Sequence, residues 1–589
     1  MKVLNIDKVN LNITPQDNAG APVRDSRAPN AGMSHVVGTD IPALCERTIS
    51  ELLDDNALRW PEALACVFCE SGVRWTWAEL RDESDRLAGG LLSLGFQTGD
   101  RLGIWSPNRS EWILAQYATA RIGVVLVNIN PAYRLAELEY ALNKVACKGL
   151  VSAPAFKTSH YLEMLQTLAP ELSGCAPGSL RAARLPHLRC VIRMGRELTP
   201  GMFNLHEVMG NADAKNGVER VAQARRIGKM LHSTDAINVQ FTSGTTGNPK
   251  GATLTHRNIV NNAFAVAAAM GFTKDDRLCI PVPLYHCFGM VMGSLVCTVT
   301  GGTMVFPGEG FDALATLNAL QDEACTALHG VPTMFIAELD HPEFKRFNLN
   351  ALRKGVMAGS PCPVEVMKRV IKDMNMSDVT IAYGMTETSP VSFQSAPTDP
   401  LELRVATVGR VMPHLEVKIV DSADAVVLVG QTGELCTRGY SVMRGYWGDD
   451  ERTQEAVRDG WMHTGDLATI DEHGYCNIVG RVKDMLIRGG ENVYPREVEE
   501  FLFRHPAVAL VQVFGVPDVK YGETVCAWVV LKQDAVASED DIRQFCQDQI
   551  AHYKVPRYVR FVSELPMTVT GKAQKFLMRR AMMDELGLS

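Results

Sequence analysis

The apolar and polar positions of this chain change period repeatedly, and each change marks an element. Over residues 41–52 apolar side chains recur at three- and four-residue spacing, which predicts a helix. Trp75-Thr76-Trp77-Ala78-Glu79-Leu80 leads into a second helix whose buried stripe includes Leu80, Leu87 and Leu91. Gly99-Asp100-Arg101 then turns into a strand at Leu102-Gly103-Ile104-Trp105, followed by a helix over 111–122, a strand over 124–128 and a helix over 135–145. Strands alternating with helices predict an α/β fold, a largely parallel sheet covered on both faces. Further on, a strand-like run over 236–241 precedes a polar, glycine-rich stretch. A helical stripe of Ile259, Val260, Ala263, Phe264, Ala267 and Met270 follows it, so that stretch is expected to join strand to helix. Residues 174–229 are irregular and charged, and the pattern assigns them no role.

Toward the C-terminus the character changes. Strands over 510–515 and 525–531 and a charged amphipathic helix over 540–552 predict a small α+β domain, with the boundary at Lys483. The chain thus divides into a polar, Asn/Pro/Asp-rich extension over 1–32, expected to be disordered, a large domain of sheets flanked by helices over 33–482, and a small mobile domain over 483–589. The extension lacks the apolar core of a signal peptide and the acid-poor pattern of a transit peptide, and Met33 is a candidate start.

Composition narrows the class. A chain of 589 residues exceeds what one core usually supports, which agrees with two domains. Hydrophobic residues at 46% and charged residues at 21% describe an ordinary globular protein, and a formal net charge of -8 excludes nucleic acid as the main partner. The longest weakly polar run, 289–306, is broken by Thr298, Thr300, Gly301-Gly302 and Thr303 and reads as buried core, so no transmembrane helix is expected. The 15 cysteines are scattered without paired spacing, which fits a reducing compartment and an expected cytoplasmic location. Cys66 and Cys69 lie three apart in a strand-like run, so their thiols should face opposite sides.

The chemistry is concentrated in Thr242-Ser243-Gly244-Thr245-Thr246-Gly247-Asn248-Pro249-Lys250-Gly251. Glycines let backbone N–H groups turn toward an anion, hydroxyls add donors, and Lys250 brings a point charge, an inventory suited to polyphosphate. Pro249 before Lys250 and Gly251 after it exclude the Walker P-loop, and G-x-G-x-x-G is absent. A Ser/Thr/Gly loop ending in Pro-Lys-Gly resembles the signature of the adenylate-forming enzymes, which include acyl-CoA synthetases, peptide-synthetase adenylation domains and beetle luciferases. Further motifs stand in that family's order: Gly359-Ser360-Pro361, Tyr383-Gly384-Met385-Thr386-Glu387, Thr464-Gly465-Asp466, Arg481, Lys483, Gly489-Gly490 and a C-terminal Thr570-Gly571-Lys572.

The resemblance implies roles. Gly359, Ser360, Pro361 and Tyr383 would pack around adenine, Asp466 and Arg481 would hold the ribose, Thr386 the α-phosphate, and Glu387 a Mg²⁺ ion. Lys572 would be the catalytic lysine of adenylation, Lys483 the hinge, and Gly489-Gly490 part of the coenzyme A channel. His286 stands as a gate rather than a base at the mouth of an acyl pocket lined by Phe288, Val331, Met334 and Gly384. Acetyl-CoA synthetases carry Trp at the position of Gly384, so a deeper pocket is expected here. With no cationic anchor among these residues, a medium-chain or longer fatty acid is favoured over an aromatic acid. The implied protein is an AMP-forming carboxylic acid–CoA ligase using ATP, Mg²⁺ and coenzyme A, with a homodimer as one expectation for its assembly. A luciferase-like oxygenase shares every motif and remains a separable alternative, whereas a carrier-linked adenylation module does not fit a chain ending shortly after Lys575.

Overall fold

The apolar strand runs assemble into two large sheets, in keeping with the expected domain of sheets flanked by helices. The computed structural model describes residues 28–29, 31–210, 217–242, 249–360, 362–489, 491–547, 549–568 and 572–588, so most of the N-terminal extension, with its expected disorder, lies outside the described residues. In the eight-stranded sheet, Ala236–Thr242, Val125–Ile129, Arg101–Trp105, Gly149–Ser152, Cys190–Arg193 and Phe203–Asn204 run parallel. The nine-stranded sheet has a parallel centre that includes Asp378–Gly384, Lys354–Ala358, Ala327–Gly330 and Arg277–Cys279, with antiparallel strands at both edges.

Helices tie the sheets together. Helix His256–Ala269 leaves the first sheet through the Thr255 cap, and its Asn262 amide donates to the Val391 carbonyl of the second at 2.8 Å. Helix Ser110–Ile122 is buried on every side from Trp112 onward, and Tyr117 meets the Thr298 hydroxyl at 2.5 Å. A helix apolar on most of its circumference belongs in an interior, and this one sits there, its buried Arg121 paired with Asp54 and Asp85. The run 289–306 is core, as its pattern predicts, and among the described residues no helix is long and apolar enough to cross a membrane. Cys66 is buried and Cys69 exposed, and all 15 cysteines are free thiols.

Two expectations are corrected. The first helix spans Ile49–Arg59, not 41–52, because Thr48 and Glu51 form a reciprocal capping box that starts it at Ile49. Residues 174–229 have a role: Cys190–Arg193 and Phe203–Asn204 extend the first sheet, while helix Gly217–Gly228 docks Arg225 on the buried Asp85 at 2.6 Å, which Arg121 also reaches at 2.6 Å.

A third, six-stranded antiparallel sheet ends in Trp461–Ile470 and Cys476–Arg481. Beyond it the core changes. Ile478 packs into the large hydrophobic cluster, whereas Leu486 belongs to a separate one under the five-stranded sheet of Leu486–Arg488, Glu491–Val493, Val508–Asp518, Gly522–Leu531 and Tyr558–Phe561. Lys483 stands in the turn between the two. The helix expected over 540–552 spans Glu539–Cys546, shorter than its pattern suggests, and Pro495–Leu502 and Lys575–Leu586 are further helices of the small domain.

Candidate active site

The polar loop joins strand to strand. Ala236–Thr242 and Lys250–Thr255 pair antiparallel, with Lys250 opposite Thr242, and the helix begins only after Thr255. The reason lies in Gly251-Ala252-Thr253-Leu254-Thr255, which continues the sheet edge where it can hydrogen-bond on both sides, to Ala236–Thr242 and to Gly445–Tyr446. Ser243, Gly244, Thr245, Thr246, Gly247 and Asn248, the centre of the expected phosphate cradle, lie outside the described residues, as do Pro361 and Gly490. Thr242, Pro249 and Lys250 bracket that loop.

From the base of the loop a chain of contacts runs inward. The Lys250 ammonium lies over the Tyr446 ring, 4.4 Å from its centroid, and the Tyr446 hydroxyl donates to Glu387 Oε1 at 2.8 Å. Burial and the Glu387 carboxylate push the Tyr446 phenol well up, so it stays protonated and a donor. Glu387 sits on one 3-10 turn, Thr386–Thr388, directly beyond strand Asp378–Gly384, and its backbone carbonyl accepts the Met443 N–H at 2.8 Å. Tyr446 was missed in the sequence, although an aromatic pair at Tyr446-Trp447 shortly before Thr464-Gly465-Asp466 was a signal to follow.

Tyr383, Asp466 and Arg481 meet. The Tyr383 hydroxyl donates to Asp466 Oδ2 at 2.6 Å, and Arg481 Nε lies 3.3 Å from Oδ1. Asp466 and Arg481 are cross-strand partners in the third sheet. Gly359, at φ +90°, has Val331 directly beside it: a Cβ there would lie 3.1 Å from Val331 Cγ1. Ser360 follows it, so the segment expected at adenine adjoins the one expected at the acyl group. Val331 and Met334 are buried at the start of helix Pro332–Leu339, and Phe288 is buried against His329, ring centroids 5.6 Å apart.

Lys572 reaches this place from the small domain. Its hairpin is closed by the Thr568 N–H donating to the Lys572 carbonyl at 2.8 Å and the Lys572 N–H donating to Thr568 Oγ1 at 3.0 Å. Burial and the Arg481 cation lower the Lys572 pKa from its usual value, opposed by Cys287, Asp466 and Glu387. Lys575, three residues on, is instead tied to Glu499 Oε1 at 2.7 Å and the Val513 carbonyl at 2.8 Å, which makes it structural. His286 is held at about 3 by burial and the Lys572 ammonium; its Nδ1 accepts the Phe288 N–H at 3.2 Å, so the ring is neutral and caps a turn. Cys287, next to it, has a thiol pushed up to about 12 by burial. Lys483 lies in the turn between domains, and Gly489, at φ +61°, donates its N–H to the Tyr521 carbonyl at 2.9 Å. The domains also touch through Arg496, which donates to the Ile478 carbonyl at 2.7 Å, and flank an open cleft of about 580 Å³ between Thr333 and Ser563–Met567.

Gly384 does not do what its position suggested. A Cβ there would lie 1.7 Å from the Pro390 carbonyl oxygen and 2.9 Å from Val391 Cα. Glycine is required by a close approach of two strands, and its missing side chain points into backbone rather than into an acyl pocket.

The AMP-binding enzyme profile matches residues 53–447 and the AMP-binding enzyme C-terminal domain profile matches 497–572. The chain belongs to the AMP-binding enzyme family. Its similarity to curated AMP-binding enzymes runs nearly end to end. It is 44% identical over 564 residues, 95% of this chain and 92% of the relative, to "Medium-chain acyl-CoA ligase ACSF2, mitochondrial" of Danio rerio. It is 46% identical over 548 residues, 93% of this chain and 99% of the relative, to the putative acyl-CoA synthetase YngI of Bacillus subtilis. Among solved structures, the anthranilate CoA ligase AuaEII in complex with anthranoyl-AMP superposes with a TM-score of 0.79 at 25% identity, covering 92% of this chain and 98% of that one. ATP-bound MatB from Rhodopseudomonas palustris does so with a TM-score of 0.77 at 28% identity, covering 91% and 99%. The adenylate-forming fold, a large N-terminal and a small C-terminal domain, is therefore that of this chain.

Proposed function

We propose that this chain is an ATP-dependent, AMP-forming ligase that joins a medium-chain fatty acid to coenzyme A. One observation carries the reading: the lysine of the small domain stands among Glu387, Asp466, Arg481 and Cys287, where nucleotide residues and the His286–Phe288 segment converge. A carboxylate is a poor electrophile, so thioester formation needs a better leaving group. Attack of the carboxylate on the α-phosphorus of ATP gives acyl-adenylate and pyrophosphate, and the thiol of coenzyme A then displaces AMP.

Both transition states carry negative charge around the α-phosphate, so positioning and charge stabilisation are the protein's contribution. In this reading Lys572 bridges the incoming carboxylate and the α-phosphate. A cation about 4 Å from one anionic oxygen gains roughly 4 kcal/mol at an effective dielectric near 20. Asp466 and Arg481 hold the ribose hydroxyls, Tyr383, Gly359 and Ser360 the base, Thr386 the α-phosphate, and Lys250 with the loop before it the outer phosphates. Glu387, fixed by Tyr446 on whose ring Lys250 lies, is a hard oxygen ligand and fits Mg²⁺, which is usually shared between one or two carboxylates and substrate phosphate. Bound there, the ion would neutralise charge on the polyphosphate. The small domain, with its own core and a hinge at Lys483, would turn after pyrophosphate leaves, withdraw Lys572 and bring Gly489-Gly490 to the pantetheine.

Medium chain length is supported by the relatives' names and by the apolar Phe288, Val331 and Met334. Gly384 no longer contributes to that argument. Coenzyme A-dependent AMP release across acids of two to sixteen carbons tests the reading. A maximum near eight to twelve carbons is expected, and a preference for aromatic acids, or for acetate, would overturn it. The cytoplasmic location belongs to the same proposal and rests on 15 free thiols; cell fractionation tests it, and light scattering tests the homodimer.

A further inference from the structure

Strands Gly433–Gly439 and Trp461–Ile470 pair antiparallel, but the ladder is irregular where Asp466 leaves it. Glu434 pairs with Leu467 and Cys436 with His463, so Leu435 alone faces Thr464, Gly465 and Asp466. The excess bulges out, with Gly465 at φ +70°. Its N–H, lost to the ladder, donates to Glu434 Oε1 at 3.0 Å; Thr464 Oγ1 donates to the Leu435 carbonyl at 2.8 Å and accepts the Asp466 N–H at 3.1 Å. One oxygen of Glu434 therefore holds the turn that presents Asp466.

The other oxygen faces a different group. Glu434 Oε2 lies 3.0 Å from His463 Nδ1, and Cys436 Sγ lies 3.4 Å from the same nitrogen. Arg458 Nη2, 2.6 Å away, can only donate, so the Nδ1 lone pair is taken up by the guanidinium and is open to a cation only once Arg458 turns away. Carboxylate, thiol and imidazole ligand atoms all lie within 4.8 Å of one another. In a tetrahedral zinc site, metal–ligand bonds of about 2.0–2.3 Å put neighbouring ligand atoms roughly 3.3–3.8 Å apart. The N···O and N···S separations of 3.0 and 3.4 Å lie at or just below the lower end of that range, and the donor set is the thiolate–imidazole–carboxylate mixture zinc takes.

We propose that Glu434, Cys436 and His463 bind a thiophilic divalent cation of the zinc class, and that its binding weakens nucleotide affinity through the Glu434–Gly465 hydrogen bond. Among the described residues, the charged groups facing the cluster are Arg458, Lys418 and Asp424. Arg458 must yield its place. Its side chain is 46% exposed and already 3.0 Å from Asp424, so it has a second partner to turn to. As the metal–sulfur bond forms, the Cys436 thiol releases its proton to solvent: one cation enters and one proton leaves. A soft thiolate favours zinc over Mg²⁺, so the metal of the ATP reaction does not compete for this site. Drawing Glu434 toward the cation loosens its hold on Gly465 and tilts Asp466 from the ribose. The coupling, unlike the metal site itself, rests on the proposed function, in which Asp466 contacts the nucleotide.

The test uses the full chain, stripped with a chelator and kept reduced with a phosphine, titrated first with Co²⁺ and then with Zn²⁺. One equivalent of Co²⁺ should give a thiolate-to-cobalt charge-transfer band that Zn²⁺ removes and that Cys436→Ser and His463→Asn lack. With Mg²⁺ restored but no zinc or cobalt present, Cys436→Ser should retain the parental AMP release. AMP affinity, measured by calorimetry, should fall at least about fivefold with zinc in the parent and not in Cys436→Ser, and by reciprocity AMP should weaken zinc by the same factor. No band, or an equal band in Cys436→Ser, overturns the site. A band with unchanged AMP affinity overturns the coupling, provided Asp466→Ala lowers metal-free AMP affinity; if Asp466→Ala changes nothing, it is the ribose assignment that fails.

Discussion

A single methyl group at Gly384 separates two accounts of the acyl site. Its Cβ would lie 1.7 Å from the Pro390 carbonyl oxygen, 2.6 Å from the carbonyl carbon and 2.9 Å from Val391 Cα, where ordinary contact begins near 3.4 Å. All three atoms are backbone, so no side chain can swing aside, and the strands Asp378–Gly384 and Val391–Gln394 must part by about 1.5 Å. The same carbonyl accepts the Met385 N–H at 3.0 Å and the Thr388 hydroxyl at 2.7 Å. Overpacking of about 1–3 kcal/mol, plus about 1 kcal/mol for each weakened hydrogen bond, gives a destabilisation of roughly 3 kcal/mol or more for Gly384→Ala. Because Thr386 and Glu387 sit inside the displaced turn, adenylation should fall for every acid by a similar factor. The assay is the thermal unfolding midpoint at fixed scan rate beside kcat/KM for acids of two to twelve carbons. A variant as stable as the parent whose profile shifts toward short acids would refute the reasoning and return Gly384 to the pocket wall.

Other tests address the remaining site. Lys572→Ala should lower adenylation by about three decades, the rate equivalent of roughly 4 kcal/mol, while thioester formation from supplied acyl-adenylate falls less than about tenfold; equal loss in both would rule out a lysine that serves one half-reaction. The depressed Lys572 pKa also sets a sign: adenylation should decline on the alkaline side at lower pH than a free lysine would allow, a limb missing from the second half-reaction. Tyr446→Phe keeps the ring under Lys250 but removes the hydrogen bond to Glu387, worth about 1.5–3 kcal/mol for a charged acceptor, so kcat/KM for ATP should drop about 10- to 150-fold with the KM for the acid unchanged; unchanged ATP kinetics would detach Tyr446 from the site. The buried His256 and His329 at about 4 and the half-buried His286 at about 3 are neutral, each accepting a backbone N–H at Nδ1. The unfolded chain takes up protons below about pH 6.5 while these rings do not, so their contribution is complete above that pH and is lost as pH falls toward about 4. A flat unfolding midpoint across that window would show the rings are not held neutral.

Candidate chemistry was legible in the order of residues because groups that hold phosphate, ribose or a hard cation come in short motifs. Thr386-Glu387, Thr464-Gly465-Asp466 and Lys572 were singled out that way and the structure brings them together, and the parallel α/β plan followed from the strand–helix alternation, since side-chain period is a property of the chain itself. Partners distant in sequence were beyond that reach. Whether the polar loop ended in helix or strand depended on an open sheet edge beside Ala236–Thr242. The distinction between Lys572 and Lys575 depended on Glu499, and the direction of Gly384 on how closely Pro390 approaches. The register that sets Cys436 against His463 and throws Asp466 outward hangs on one bulge, and strand register is chosen by burial across the whole sheet rather than by either strand alone.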